Sequence, residues 1–282
     1  EVNYFLTTDN QYVGKRIEHK QTLQNPTKTI TSFNDFSFHE LELENLIHSG
    51  REWFGERFNV QNSQSFDFSF PNLEITFPVS IKTAVAARSL NSSVFSVAVN
   101  SDPLQNILVQ NIVSTYATEY AKTSSKTSVY IASSSNLSVD IEYSSTDIGA
   151  LSWLNYIEVN ARRKLKMSGN FLFFRDATSF GDEIVSFLLS NANIGTSVWD
   201  VTDPTNVVKM STSINTNELS FNDSVNELHE YIAFNSSAYL TPTIVGKVAN
   251  QNLQNTPIDV EYVIVSHPNF LVPAERLADF HQ

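Results

Sequence analysis

A mainly β protein is predicted here, an antiparallel β-sandwich of jelly-roll type with the possibility of two packed sandwiches. Three observations lead to it. Apolar and polar residues alternate in short runs, most clearly in SFDFSF (65–70), where Phe66, Phe68 and Phe70 fall on one face. Turns of Ser, Asn and Asp separate these runs at spacings suited to antiparallel hairpins. Strand-forming aromatics are frequent, with 20 Phe and 10 Tyr among 282 residues.

The same composition excludes several functions. Hydrophobic residues are 41% and charged residues 17% of the chain, the balance of a folded protein rather than a disordered one. A net charge of -12 repels nucleic acid and anionic membranes on average, so no nucleic-acid partner is expected. With 0 Cys, these residues can form no disulfide, thiolate metal site or cysteine nucleophile. No apolar run reaches the length of a membrane-spanning helix. The start lacks the basic-then-apolar leader pattern, so an export signal would lie upstream of Glu1.

In chain order, residues 1–57 read as a partial N-terminal β segment and a short helix. Val2, Tyr4 and Leu6 alternate as in a strand, and residues 11–29 read as polar loop. In HELELENLIHSG, residues Leu43, Leu46 and Ile47 share a helical face, with Gly50 as terminator. In GREWFGERF (50–58), Trp53 and Phe54 are expected to plug a core while Arg51, Glu52 and Glu56 face water; a site made of those charges is the rival reading.

Residues 58–165 read as a β-sandwich, with strands at 65–70, 74–77, 81–87, 94–99, 107–113, 128–132, 138–143 and 153–159. A basic, Gly-containing connection over 162–170 follows. Residues 166–255 read as a second sandwich or the second half of the first, with strands at 171–174, 184–190, 196–201, 206–210, 218–221 and 229–234. Only 8 Gly are present, which suggests type I turns rather than I′ or II′ hairpins. Residues 248–262 read as a linker. Residues 256–282 open a parallel α/β unit that is then cut short: a strand at Val263–Val265, a turn, and a helix from near Pro273.

Candidate chemistry is sparse. Nucleotide-binding, zinc-protease and nucleophile-elbow motifs are missing. His39 and His48 are the nearest histidine pair, without metal-ligand spacing on a helix. Calcium, the one cofactor considered, would use Asp140, Glu142 and Asp147, or Asp200 and Asp203, because sandwich loops hold it through carboxylates and backbone oxygens. A turn in which Asp caps backbone amides explains DVTDP (200–204) equally. Trp153 and Trp199 could form a sugar platform, but both lie inside alternating runs and are expected in the core. His267 falls where open α/β sheets bind ligands, although a loop role fits it as well.

Four stretches carry a family resemblance: LSWLNYIEVNARRKLKMSGNFLFFRD (151–176), VWDVTDP (198–204), YVIVSHPNFLVPAERLADFHQ (262–282) and HSGREWFGERF (48–58). Through them the sequence resembles the gingipain-type cysteine peptidases, and within these the PorU-like signal peptidases and sortases of the Bacteroidetes type IX secretion system. The resemblance implies that residues 262–282 open a caspase-like domain whose His–Cys dyad follows in a longer parent chain. His267 and His281 match no part of that dyad. It further implies an exported protein at the outer membrane and cell surface that removes C-terminal signals from secreted cargo and transfers the cargo to a lipopolysaccharide anchor. The implied partners are the catalytic domain of the same protein, a PorV-like outer-membrane barrel and the cargo proteins. This chain would then be a non-catalytic scaffold. The rival reading is a β-sandwich binding module for glycan or a surface protein.

Overall fold

Three sheets account for the strands of the computed structural model, which describes residues 13–59, 61–114, 119–181, 184–247 and 262–281. The first strands are β1 (Glu18–Lys20), β2 (Lys28–Ile30), β3 (Ser32–Glu40), β4 (Ser63–Ser69), β5 (Val79–Arg88), β6 (Ser93–Val99), β7 (Asp102–Val109), β8 (Lys122–Tyr130) and β9 (Asn136–Ser144). They are followed by β10 (Leu151–Lys164), β11 (Phe171–Arg175), β12 (Ile184–Ser190), β13 (Ser197–Asp200), β14 (Val208–Met210), β15 (Ser213–Asn215), β16 (Glu218–Ser224) and β17 (Glu230–Phe234).

A nine-stranded sheet runs β1-β14-β13-β17-β11-β3-β10-β5-β8, and two four-stranded sheets run β15-β16-β12-β2 and β4-β9-β6-β7. Pairing is antiparallel except where β1 meets β14 and β2 meets β12. The long sheet backs both small ones, so there are two sandwiches with one shared wall. The first core joins Phe66, Phe68 and Phe95 to Ile81, Leu154 and Val159, and the second joins Phe187, Leu189 and Phe221 to Phe33, Phe174 and Tyr231.

β10 belongs to both. Ala161 packs in the first core and Leu165, just beyond the strand, in the second. Between them Arg163 is held by Asp35 at 2.7 Å and by the Pro71 carbonyl at 2.6 Å, with its guanidinium 5.2 Å from the Phe33 ring centre. On the opposite face Arg162 donates to Ser32, Asn34, Thr178 and Asp176, the last at 2.5 Å. A bulge at Asn155 shifts the register between Leu154 and Tyr156, which lets Leu154 and Ile157 share the first core. Trp153 faces the other way, fully buried against Phe54 and Ala86, with its indole N–H donating to Glu44 at 2.8 Å.

Several expectations are corrected. Residues 41–50 form no helix: Glu44 bridges Phe54, the Asn45 side chain accepts from the Ser49 N–H, and Leu43 and Ile47 are exposed. Side-chain and bridge hydrogen bonds take the backbone groups a short helix would use. Residues 74–77 are no strand, and only Leu73 makes a bridge, to Arg163. The polar stretch 11–29 contains β1 and the start of β2, and the basic connection at 162–170 begins as strand, since β10 runs to Lys164. The β6–β7 hairpin reverses through Asn100 and Ser101, both at positive φ (50° and 72°), so Asn and Ser make a tight turn without glycine. Trp53 is 40% exposed, and only Phe54 of the expected pair is buried. The strand-like run at residues 1–8 and nearly all of the 248–262 linker lie outside the described residues.

The chain divides into two compact units, Glu1–Tyr239 and Leu240–Gln282. Among the described residues, the second contains the 3-10 turn Pro268–Phe270 and helix α1, Leu271–Phe280. His267 Nδ1 accepts from the Asn269 N–H at 3.2 Å and caps the turn. Pro273 occupies the first turn of α1, where its missing N–H breaks no helical bond. Val263–Val265 forms no strand, because it meets no partner strand among the described residues and a lone extended segment has no ladder to join.

Candidate functional site

A buried polar cluster lies between the two sheets of the second sandwich. Inward residues of four strands build it: Lys20 ends β1, Asp200 ends β13, Asp223 lies on β16 and Tyr231 on β17, with His229 just before β17. Register explains the convergence. Asp200 pairs with Tyr231, and Lys20 with buried Met210, so all three face the second core. Asp223 alternates with Leu219, Phe221 and Val225 and meets them from the opposite sheet.

Asp223 is fully buried. Its Oδ1 lies 2.6 Å from Lys20 Nζ and accepts the Ser224 N–H at 2.8 Å, and its Oδ2 accepts the Tyr231 hydroxyl at 3.0 Å. His229 Nδ1 lies 2.8 Å from Asp200 Oδ2, while Thr202 donates to Asp200 Oδ1 through its hydroxyl (2.6 Å) and its backbone N–H (3.0 Å). One potential ligand atom from each of Asp200, Asp223 and His229 lies within 4.8 Å of the others. The Lys20 ammonium already stands against that group as a cation.

Electrostatics follow from these contacts. Burial works against the Asp200 carboxylate, yet hydrogen bonds from His229 and Thr202 outweigh it and hold its pKa below the ordinary value. The hydrogen bond to Asp200 raises that of His229 against the opposing effect of burial. Burial first, then the Asp223 charge, drives the Tyr231 hydroxyl far up, so it stays a protonated donor.

The sign of the resulting pH effect is fixed. Stability from the raised His229 is fully present below its unfolded value of 6.5 and is lost as pH rises through the folded value. Stability from the depressed Asp200 is present above 3.8 and is lost as pH falls through its folded value. Urea midpoints of native and His229→Gln chains are therefore expected to differ most between about pH 5 and 6 and to converge as pH rises above the raised histidine value. A gap that is constant with pH would contradict the pairing.

No protein-family model and no curated protein matches the sequence. Among solved structures it is similar to dimeric latent PorU from Porphyromonas gingivalis, with TM-score 0.77 and 20% identity over 94% of this chain. The chain has a PorU-like fold. It spans 26% of the length of that PorU chain. A carbohydrate-binding module, CBM36, in complex with calcium and xylotriose gives TM-score 0.29 at 10% identity over 46% of this chain and 99% of the module. A Paenibacillus cycloisomaltooligosaccharide glucanotransferase gives 0.25 at 8% identity over 72% of this chain and 44% of the enzyme. Neither score indicates a shared fold.

Within the PorU-like body the five acidic candidates do not converge. Only Asp200 enters the three-residue group. Asp203, three residues on, folds its carboxylate into its own turn, where Asn206 and Thr205 hold its pKa at about 2. Asp140 and Glu142 lie on the outer side of β9, Asp140 accepting from Ser65 at 2.5 Å. Asp147 belongs to a separate loop, where the N–H groups of Leu90 and Gly149 hold its pKa down. His39 bonds Glu56 at 2.7 Å and forms no ligand group with His48. Trp153 is fully buried and can stack on no sugar, and Trp199 packs its ring edge-on to Phe234 at 4.9 Å. Lys20, Asp223 and His229 were not singled out from sequence. The readable signal was Asp223, a carboxylate on the buried parity of Leu219–Phe221–Asp223–Val225.

A second feature is an aromatic patch on the outer face of the nine-stranded sheet. Phe36 (49% exposed) and Phe38 (62%) lie on β3, and Phe171 (55%) and Phe173 (59%) on the neighbouring strand β11, all on the face opposite the buried Phe33, Leu172 and Phe174. Among the described residues no helix is long and apolar enough to cross a membrane.

Proposed function

We propose that this chain is the non-catalytic β-sandwich region of an exported gingipain-like cysteine peptidase. In this reading the whole protein removes C-terminal signals from type IX secreted cargo and attaches the cargo at the cell surface. The observation that carries it is the PorU-like fold over 94% of the chain. Without cysteine, these residues contain no thiol nucleophile, so the peptidase dyad belongs to another part of the polypeptide. The role left is a scaffold. The exposed aromatic residues Phe36, Phe38, Phe171 and Phe173 are the surface on which the α/β catalytic domain of that polypeptide packs, because apolar side chains grouped on one sheet face mark a site of protein contact. A PorV-like barrel and signal-bearing cargo are the further partners of the assembled protein, at the outer membrane.

The purified chain is expected to hydrolyse no peptide bearing a C-terminal signal, and to form a complex with a separately expressed PorU-like catalytic domain on gel filtration. Phe36→Glu combined with Phe171→Glu is expected to weaken that complex at least about tenfold, through two lost aromatic anchors and two buried charges. Turnover by the chain alone, or no complex with the catalytic domain, would overturn the proposal.

A further inference from the structure

We propose that Lys20 and Asp223 form an intramolecular amide cross-link, which staples the edge strand of the nine-stranded sheet to the facing four-stranded sheet. Three observations point to it. The amine and carboxyl come from different sheets, yet lie within 2.6 Å. The carboxyl is fully buried beside Phe221 and Tyr231, in the most aromatic part of the second core. Its two oxygens are held unequally: Oδ2 receives the Tyr231 hydroxyl, and Oδ1 receives the Ser224 N–H and faces the lysine.

This arrangement favours condensation over a permanent ion pair. The Asp223 side chain is fully buried while that of Lys20 is 35% exposed, so the carboxylate carries most of the cost of leaving water in the ion pair, whereas the amide is neutral. Fixing the reactants in contact replaces a bimolecular encounter with an effective concentration far above any in solution. Tyr231, kept protonated, polarises the oxygen that remains as the amide carbonyl.

The step balances without a co-reactant. A proton passes from the Lys20 ammonium to Asp223 Oδ1, leaving an amine and a carboxylic acid. The amine lone pair forms the Nζ–Cγ bond, and the Cγ–Oδ1 bond breaks. A second proton leaves nitrogen for the departing oxygen, so one water is released and one hydrogen remains on the amide nitrogen. Asp200 with His229, whose polar atoms lie within 4.8 Å of Asp223, relays that second proton.

Mass spectrometry of the purified, folded 282-residue chain tests the link. The expected mass is one water below that of the sequence. Trypsin is expected to spare the bond after Lys20 and to release a branched peptide joining the Lys20 and Asp223 segments. Lys20→Arg, which keeps the positive charge, is expected to restore the full mass. Asp223→Asn is expected to lose ammonia in place of water and reach the same cross-linked mass as the native chain. Asp200→Asn is expected to slow formation by about tenfold or more, and an unchanged rate removes the relay role. Folded native chain at full mass with trypsin cutting after Lys20, or a missing water mapped to any other site, overturns the proposal.

Discussion

Replacing Phe174 with alanine lowers the free energy of unfolding by about 3–5 kcal/mol, the usual cost of deleting a buried aromatic ring. This ring sits at the centre of the second core. It stacks on Tyr231 at 5.3 Å and touches Phe33, Phe187 and Phe221 at 6.1–6.3 Å between ring centres. Those partners come from both sheets, so the vacated volume cannot be filled by the movement of one strand. Phe174→Leu, which refills most of the space, is expected to cost less than half as much. Urea denaturation followed by fluorescence checks both. Equal losses for the two variants would place Phe174 outside a close-packed core.

Arg162→Ala is expected to destabilise the fold by about 3–5 kcal/mol, because it strands a buried carboxylate. The Asp176 side chain is 0% exposed and that of Arg162 is 9% exposed, and they meet at 2.5 Å. Arg162 also donates to Ser32 and Asn34, so its loss breaks the connection between β10, β3 and the turn after β11. Lysine cannot reproduce a guanidinium spread over four residues, so Arg162→Lys is expected to recover little. The paired change Arg162→Met with Asp176→Leu removes both charges and is expected to cost less than the single alanine variant. A double variant worse than the single one would show that hydrogen bonds rather than charge burial dominate.

Much of the β architecture was readable because a strand records its own burial with a period of two. SFDFSF placed Phe66, Phe68 and Phe70 inward, and all three are buried. The longer strands β5, β6, β9, β10 and β12 were located the same way. Short strands were missed where the pattern was too brief: β1 and β2 have three residues each, and they are held by partners distant in sequence. The apolar helical face of Leu43, Leu46 and Ile47 was real as a pattern but lost to local bonds around Asn45 and Phe54. Val263–Val265 shows the converse, a strand-like run without a partner among the described residues.

The charged cluster was legible only as an anomaly, Asp223 at an inward position of β16. What it touches is set by register. A carboxylate on β16 reaches a lysine on β1 only because two sheets pack face to face and β1 joins the far edge of one of them. Alternation, composition and the lack of cysteine are properties of neighbours along the chain, and they determined the β class and excluded a thiol nucleophile. Which sheets share a wall, where Arg162 and Arg163 find carboxylates, and which carboxyl meets the Lys20 amine are contacts between residues far apart in sequence. Those were decided only by the tertiary structure, because strand order and register bring together residues that local pattern does not relate.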